Sequence, residues 1–541
     1  MSSYSVQEES KRILQETLLD DKQLSLPPSF PEAAKYIKFV GNDPNPYLPT
    51  PCKITESASA LSALVAAAAS AASADRYGID FQDVEIDTDL ATLFLESIIL
   101  PTVNSKSFLQ HPHLQTELRK GDLYDMEKPI HEMATNVYKT RDGRWYHLHG
   151  SMNAAATMAM VGVEEQDVTR EEAIKIYSDK VAQYDADFLE TKANEELKQA
   201  GVTCLTPEEF FASEQGRIMS AEPLWTTRSL SAPRSRWPEN PAGASDLAPL
   251  AGIRIIDFSR VIAAPVITKV LALLGAQVIK ITNKDLPDVT VTWMDLSTGK
   301  KDANVDLKTD HGKKAFSKLL EGADVLVDGY RPGALARLGF DSSSLRKINQ
   351  RLIYVRENCY GFKGPLAHRS GWQQISDCLV GISWLQGKFM GLDEPVVPLL
   401  PNSDYQTGLL GAAAVVQALL QRTKADKTFD IDVSLTQYNI WYYRLGQYEG
   451  DQRKALLARN DGFHIRHHDE MRSLIFKTHD AIAKVRPDVL QNAKYFWNMS
   501  GKEWGIEDDI RILAPPFKLG KSRLRYAVPS GSKGRSRPEW D

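Results

Sequence analysis

Several things are scarce in this chain of 541 residues. Its four cysteines (Cys52, Cys204, Cys359, Cys378) form no Cys-x-x-Cys pair, which speaks against a disulfide framework and for free thiols in a reducing compartment. Neither charge sign is in excess: 65 Lys and Arg against 70 Asp and Glu leave a formal net charge of −5. Nothing therefore points to a nucleic-acid partner or to an acidic solvating tail. Long apolar runs are missing too. The longest, Leu61 to Ala72, is mostly alanine and shorter than the ~20 residues that span a bilayer, so no membrane partner is expected. The opening Met-Ser-Ser-Tyr-Ser-Val-Gln-Glu-Glu carries acid and no apolar core, and the closing Pro-Glu-Trp-Asp is no peroxisomal address. The expected compartment is the cytosol.

What is present is a clear strand–helix–strand unit. Ile253 to Phe258 has the β-branched composition of a buried strand. Pro265 suits a first helical turn, Val266 to Leu274 is apolar throughout most of its length, and Gly275 stands where a helix ends. Gln277 to Ile281 closes a right-handed βαβ crossover. Further alternation follows: strands at Ala303–Leu307, Asp324–Asp328 and Leu352–Arg356, with helices at His311–Leu320 and Ala334–Leu338 between them. The fold class is α/β, a Rossmann-like domain. Its first turn, Ser259-Arg-Val-Ile-Ala-Ala-Pro265, is neither GxGxxG nor GxxxxGK[ST], which disfavours a nicotinamide dehydrogenase.

The first half reads differently. A helix over Val6–Leu18, a Pro-rich connection, an Ala-rich helix over Ala60–Ala74, a strand over Phe81–Ile86 and helical spacing over Leu90–Leu100 come in turn. Leu48-Pro-Thr-Pro, the Ala-rich helix and Val84-Glu-Ile-Asp are echoed by Leu400-Pro-Asn-Ser-Asp-Tyr, the helix Gly408–Leu420 and Phe429–Ser434. That echo predicts a partial internal duplication. Between the copies lie a turn entering a strand at Asp142–His149, helices over Asp167–Tyr177 and Asp179–Gly201, and a smaller α+β domain. A strand at Gly201 leads to an N-cap at Thr206 with Pro207 in the first turn. Leu230–Pro249 is the best linker by composition. Residues 435–500 read as mostly helical, and Gly520–Asp541, rich in Lys, Arg, Ser and Gly, reads as loosely ordered. The expected units are 1–240, 241–445 and 446–541.

Individually, the polar candidates are weak. Arg331 and Arg337 in Gly329-Tyr-Arg-Pro-Gly-Ala-Leu-Ala-Arg have the fork geometry for phosphate. Asp377 lies one helical turn beyond Gln373, and Asp404 precedes the second Ala-rich helix. His464-Ile-Arg-His-His-Asp-Glu470 lacks HExxH spacing and reads as a solvated charged turn; no metal is expected.

In order, however, the pieces resemble the family III CoA-transferases, which include formyl-CoA transferase, carnitine CoA-transferase and alpha-methylacyl-CoA racemase. The marks are Leu250-Ala-Gly-Ile-Arg-Ile-Ile-Asp-Phe-Ser-Arg-Val, Leu274-Gly-Ala-Gln-Val-Ile-Lys-Ile, Val305-Asp-Leu-Lys-Thr, Ala323-Asp-Val-Leu-Val-Asp-Gly-Tyr-Arg-Pro-Gly, Gly361-Phe-Lys-Gly-Pro and Asp404-Tyr-Gln-Thr-Gly. Thr140-Arg-Asp-Gly-Arg-Trp-Tyr and Gly201-Val-Thr-Cys-Leu-Thr-Pro-Glu-Glu-Phe resemble the family's small domain. The layout is similar to fungal, partly duplicated relatives.

The resemblance implies an enzyme moving CoA between an acyl-CoA and a carboxylic acid, with CoA as substrate and no permanent cofactor. It implies a possible homodimer. Carried over, CoA binding falls on Arg260, Val261, Val305, Arg331 and Arg337, with Gly329 where many members have asparagine. By this resemblance Gln373 stands at the position of the nucleophilic aspartate, Trp372 replaces the racemase histidine, and Asp404 matches the racemase aspartate. Catalytic candidates are thus Asp404, Asp377 and Gln373. Since an amide is no nucleophile here, racemase-like proton exchange and non-catalytic acyl-CoA binding stay open as alternatives.

Overall fold

The computed structural model describes residues 4–240 and 246–541. Residues 1–3, within the opening segment read for targeting signals, and residues 241–245, within the Leu230–Pro249 linker, lie outside them.

Seven strands form the main sheet: β1 (Thr226–Ser231), β2 (Arg254–Phe258), β3 (Gln277–Thr282), β4 (Lys300–Asn304), β5 (Val325–Asp328), β6 (Ile353–Asn358) and β7 (Lys427–Ser434). Their spatial order is β4-β3-β2-β5-β6-β7-β1. All neighbours are parallel except β1 on β7. The β-branched runs are explained by burial on both faces. Ile255, Val278, Val325, Val327, Ile353 and Val355 point into one core; their alternates Ile256, Ile279, Ile281 and Leu326 point into another with Phe316 and Leu319. The α/β expectation holds. The strand expected at Ala303–Leu307 runs instead over β4, leaving Val305 just past its end.

Three long apolar helices fill the first core: α1 (Ile54–Tyr77), α2 (Ala263–Leu273) and α4 (Asn402–Arg422); a shorter α3 (Gln373–Val380) lies between the last two in sequence. α4 packs on both α1 and α2. Gly408 makes the second contact close, since a Cβ there would fall 2.4 Å from Val266 Cγ1. α1 outruns its sequence expectation at both ends, stopping where Gly78 turns left-handed at φ +65°. At 24 residues it is long and apolar enough to cross a membrane, and 94% of its apolar window is buried in the fold.

The small domain has three antiparallel strands, Asn136–Lys139, Trp145–Leu148 and Gly201–Thr203, around its own core. Thr169 with Glu172 and Thr206 with Glu209 form capping boxes, and Pro207 opens its helix as the sequence implies. The single helix expected over Asp179–Gly201 is split into Ala186–Glu190 and a wider π turn, Thr191–Glu196.

Other expectations need correction. Leu230 and Ser231 belong to β1, paired with Thr428 and Lys427, not to a linker. The His464–Glu470 turn is solvated only in part: His464 and Arg466 are exposed, but Asp469 and Glu470 are buried, and the turn docks the small domain. His467 Nδ1 meets Val137 O at 2.7 Å, Asn136 Nδ2 donates to His468 O at 2.7 Å, and Arg170 pairs with Glu470 at 2.7 Å. The C-terminal segment is not helical to its end. Phe496–Ser500 and Asp509–Leu513 join Thr102–Val103 in one sheet, while Phe517–Leu519 pairs with Val84–Asp87 in another. The tail is ordered as well. Gly534 N donates to Asp302 Oδ1 at 2.6 Å, Ser536 N to Asp302 O at 2.7 Å, and Trp540 Nε1 to Leu319 O at 2.9 Å. Its small residues, which read as solvent-loving, let the backbone lie along the unpaired edge of β4. The helix–strand–helix order following α1 recurs after α4, yet the two strands concerned, Val84–Asp87 and β7, lie in different sheets.

Candidate functional site

The strand order places the site. From β2 the chain proceeds outward through β3 and β4, then returns to the other side of β2 with β5, β6 and β7. In such sheets the crevice opens at the carboxyl ends of the strands where the direction reverses. Arg260 to Ala263 after β2, Gly329 to Pro332 after β5, Glu357 to Cys359 at the end of β6, and Leu435 after β7 all line one cavity of about 370 Å³. Ser151, Met152, Asn153, Ala156 and Gln199 of the small domain form its opposite wall.

One side of this cavity is built for an anion. Arg260 lines it, stacked over the Tyr330 ring at 4.7 Å and donating to Pro287 O at 2.7 Å. Neither it nor Arg331 has an ion-pair partner among the described residues; Arg331 donates only to Lys198 O at 3.1 Å. Desolvation, and then the charges of Arg260 and Arg337, lower the Arg331 pKa. Crowded cations of this kind favour an incoming polyanion. The N-terminus of α2 begins at the cavity wall with Ala263, adding its dipole. Val261, also in the wall, sits at φ +67°, a left-handed conformation that β-branched residues avoid. Its N–H is held by Asp288 Oδ1 at 3.3 Å. Buried Asp288 resists burial's upward push on its pKa: the neighbouring Lys280 and a Trp293 Nε1 hydrogen bond (3.0 Å) bring it below the usual range. Gly329 is required by packing, because a Cβ there would lie 2.5 Å from Ala264 Cβ.

Two carboxyl groups share this space, Glu357 beside the Gly329 turn itself, its Oε2 3.7 Å from where a Gly329 Cβ would stand. Asp404, in the first turn of α4, and Glu357, near the end of β6, both line the cavity, and neither side chain has a hydrogen-bond partner among the described residues. Burial raises the pKa of Glu357 to about 8, with Asp328 adding to the shift. Burial, then Glu357 and Asp377, push Asp404 well above the carboxylate range. No cation among the described residues acts on either. Cys359 beside them is kept as a thiol by burial and by these same carboxyls, which removes it as a nucleophile.

Gln373 and Asp377 are elsewhere. Both are buried, with 2% exposure, and neither lines the cavity. Their one-turn spacing does bring them together, since Gln373 Nε2 donates to Asp377 Oδ2. Asn439 Nδ2 (2.8 Å) and Ser403 Oγ (3.0 Å) complete the shell around Asp377. Burial raises its pKa to about 7 against the lowering by these donors. Trp372 does line the cavity and stacks on His149 of the small domain, ring centroids 5.0 Å apart and planes at 7°. Val305 is in the second core and Arg337 on the surface, both outside the cavity lining. Glu357, Tyr330 and Arg369 are cavity residues that the sequence reading did not single out. For Glu357 the available signal was its place near the carboxyl end of a parallel strand.

A family model described as CoA-transferase family III matches residues 250–496. The chain is 36% identical over 547 residues to acetyl-coenzyme A transferase nodX of Hypoxylon pulicicidum, covering 97% of this chain and 92% of that protein. It is 29% identical over 500 residues to an acyl-CoA transferase of Gibberella moniliformis, covering 90% and 87%. Succinyl-CoA:glutarate CoA-transferase of Mus musculus is 33% identical over 221 residues, which is 38% of this chain and 50% of that protein.

Proposed function

The chain belongs to CoA-transferase family III, and from that premise we propose that it moves CoA between an acyl-CoA and a free carboxylic acid, with Asp404 as the carboxylate that carries the acyl group. The general activity, CoA transfer, follows from the family. The observation that carries the finer reading is the position of Asp404: a carboxyl in the cavity with no hydrogen-bond partner among the described residues, in the same space as two arginines that have no ion pair among those residues and suit the phosphates of CoA.

In this reading ionised Asp404 attacks the thioester carbonyl. The C–S bond breaks, the thiolate leaves with the electron pair, and an acyl–aspartyl anhydride remains. Attack of the thiolate on the aspartyl carbonyl releases the first acid and leaves an aspartyl thioester. The second acid's carboxylate attacks that thioester, again expelling thiolate. The thiolate then takes the new acyl group and returns Asp404 to its carboxylate. Glu357, protonated up to about pH 8, supplies an O–H donor beside the reacting carbonyl.

Exchange with an acceptor acid labelled with ¹⁸O in its carboxylate tests the cycle. Label should enter Asp404, read by peptide mass spectrometry, and Asp404→Asn should lose about a thousandfold or more in transfer rate. Transfer that persists at the wild-type rate in Asp404→Asn overturns the assignment.

A second reading, proton exchange next to the thioester carbonyl, is favoured by one observation: Glu357 and Asp404 face the same cavity as two carboxyl groups. Solvent deuterium appearing at the α-carbon without CoA transfer would select it. The case for a purely binding role came from Gln373, whose side chain is turned onto Asp377, away from the cavity.

A further inference from the structure

The loop that follows β3 holds both the arginine and the left-handed residue of the turn after β2. Pro287 O accepts from Arg260 Nη1 at 2.7 Å, and Asp288 Oδ1 accepts from Val261 N at 3.3 Å. Nearby residues pin the loop at its two ends. Asn304 Oδ1 accepts from Lys284 N and Asn283 Oδ1 from Asp285 N, both at 2.9 Å. Buried Asp288 is fixed by Val289 N at 2.9 Å and Trp293 Nε1 at 3.0 Å. Between these anchors lies the Leu286–Pro287 peptide, where the proline has no N–H to give.

The donor at that point comes from the far end of the chain. Lys533 Nζ donates to Leu286 O at 2.9 Å, and it lies 5.8 Å from the centroid of Trp293, the same ring that holds Asp288. The next residue places the lysine there. Gly534, at φ +72°, crosses the carboxyl end of β4, where a Cβ would stand 3.2 Å from Asn304 Cβ. Its N–H donates to Asp302 Oδ1 at 2.6 Å, and Ser536 continues as a parallel bridge to Ala303. Lys533 itself does not line the cavity. Its influence passes through the proline. The peptide plane is rigid and the ring locks φ of Pro287, so fixing Leu286 O leaves one soft torsion before the carbonyl that Arg260 grips.

We propose that the C-terminal tail, which lies beyond the family-matched residues 250–496, sets the Arg260 turn of the cavity, with Lys533 as a positioning residue acting on Arg260 through the Leu286–Pro287 peptide. The inference rests on the reading of this cavity as the acyl-CoA site.

Titration calorimetry of the full chain with coenzyme A itself tests it. Lys533→Met keeps the stem but has no donor and should weaken binding about fivefold, while Lys533→Arg still donates and should stay within about twofold of wild type. In an Arg260→Ala background Lys533→Met should add less than about twofold, because residues acting as one unit are not additive. Trp540→Ala frees the tail from Leu319 O, outside the cavity lining, and should stay within about twofold of wild type. Wild-type binding by Lys533→Met overturns the inference. A full loss that persists in the Arg260→Ala background overturns it too, as does an equal loss in Trp540→Ala or in Lys533→Arg. Wild-type binding by Arg260→Ala overturns the reading of the cavity and this inference with it, whereas a clear Arg260→Ala loss beside a silent Lys533→Met overturns this inference alone.

Discussion

Glu357 and Asp404 face one cavity from the ends of different elements, and the charge on Glu357 disfavours the charge on Asp404. Since the pKa of Asp404 is raised well above the usual carboxylate range, its protonated form is favoured in the free protein, and it must lose that proton to attack. Transfer measured as kcat/KM should therefore rise with pH as Asp404 ionises, above the range of an ordinary carboxylate. Glu357 carries charge only above about pH 8, so Glu357→Gln lowers the Asp404 pKa there and moves the upper part of the rising limb to lower pH. A limb that stays in place would show that Glu357 does not act on Asp404.

Replacing Gln373 by aspartate should not create a better enzyme. The new carboxyl would meet Asp377 inside a buried helix turn, where the amide now donates to it. A loss of about 2–4 kcal/mol is expected from the unpaired buried acid, seen in a chain of 541 residues as a thermal midpoint lower by roughly 2–4 °C. Transfer rates at or below wild type are expected in the same preparation. A gain in activity would place the nucleophile at residue 373.

Asp377 titrates with a signed effect on stability. Burial raises its folded pKa to about 7, from an ordinary value of 3.8. In the unfolded chain it ionises near pH 4, while in the fold burial opposes ionisation until near pH 7. Stability from this group is therefore full below the lower value and is lost as pH rises to the upper one, by up to about 4 kcal/mol at 1.36 kcal/mol per pK unit. Asp377→Asn lacks the titration. Urea unfolding at pH 5 and pH 7.5 should show the wild type losing ground to the variant as pH rises.

The two unpaired arginines should dominate binding of the CoA portion. Arg260→Ala or Arg331→Ala is expected to weaken acyl-CoA binding by about 10- to 100-fold, matching roughly 1.5–3 kcal/mol for a hydrogen bond to a charged group. Arg337→Ala, outside the cavity lining, should stay within about twofold. Calorimetry at two salt concentrations distinguishes the cases, because only loss of a phosphate contact reduces the salt dependence.

The sheet was legible because its strands are short β-branched runs whose alternate residues fill two cores, a pattern that survives in one dimension. Arg260, Val261 and Asp404 were legible from their ordered surroundings. Glu357 was not: in Val-Arg-Glu-Asn it looks like the polar fraying end of a strand, and only the neighbouring strand ends turn it inward. Asp377 was found by helical spacing, but spacing does not say which face is buried, and the shell of Ser403 and Asn439 comes from residues 26 and 62 positions away. The tail misled for a related reason. Its Ser, Gly and Lys residues match a solvated segment in composition, while the unpaired edge of β4 that receives them is written some 230 residues earlier.

α1 has a consequence for the time course of folding. Its neighbourhood is completed by partners very distant along the chain: Gln417 Nε2 donates to Leu24 O at a separation of 393 residues, and Ser73 pairs with Ser522 at 449. The strand Val84–Asp87 waits likewise for Phe517–Leu519. Native pairings of such span close late, because loop closure must precede their reward. Until residues near 520 have been synthesised, the Ala-rich faces of α1 and α4 lack part of their cover. The nascent chain then carries exposed apolar helix through most of its synthesis, a period in which refolding yield should depend on protein concentration and on chaperones. Dividing the chain at the family-matched segment would make that transient exposure permanent.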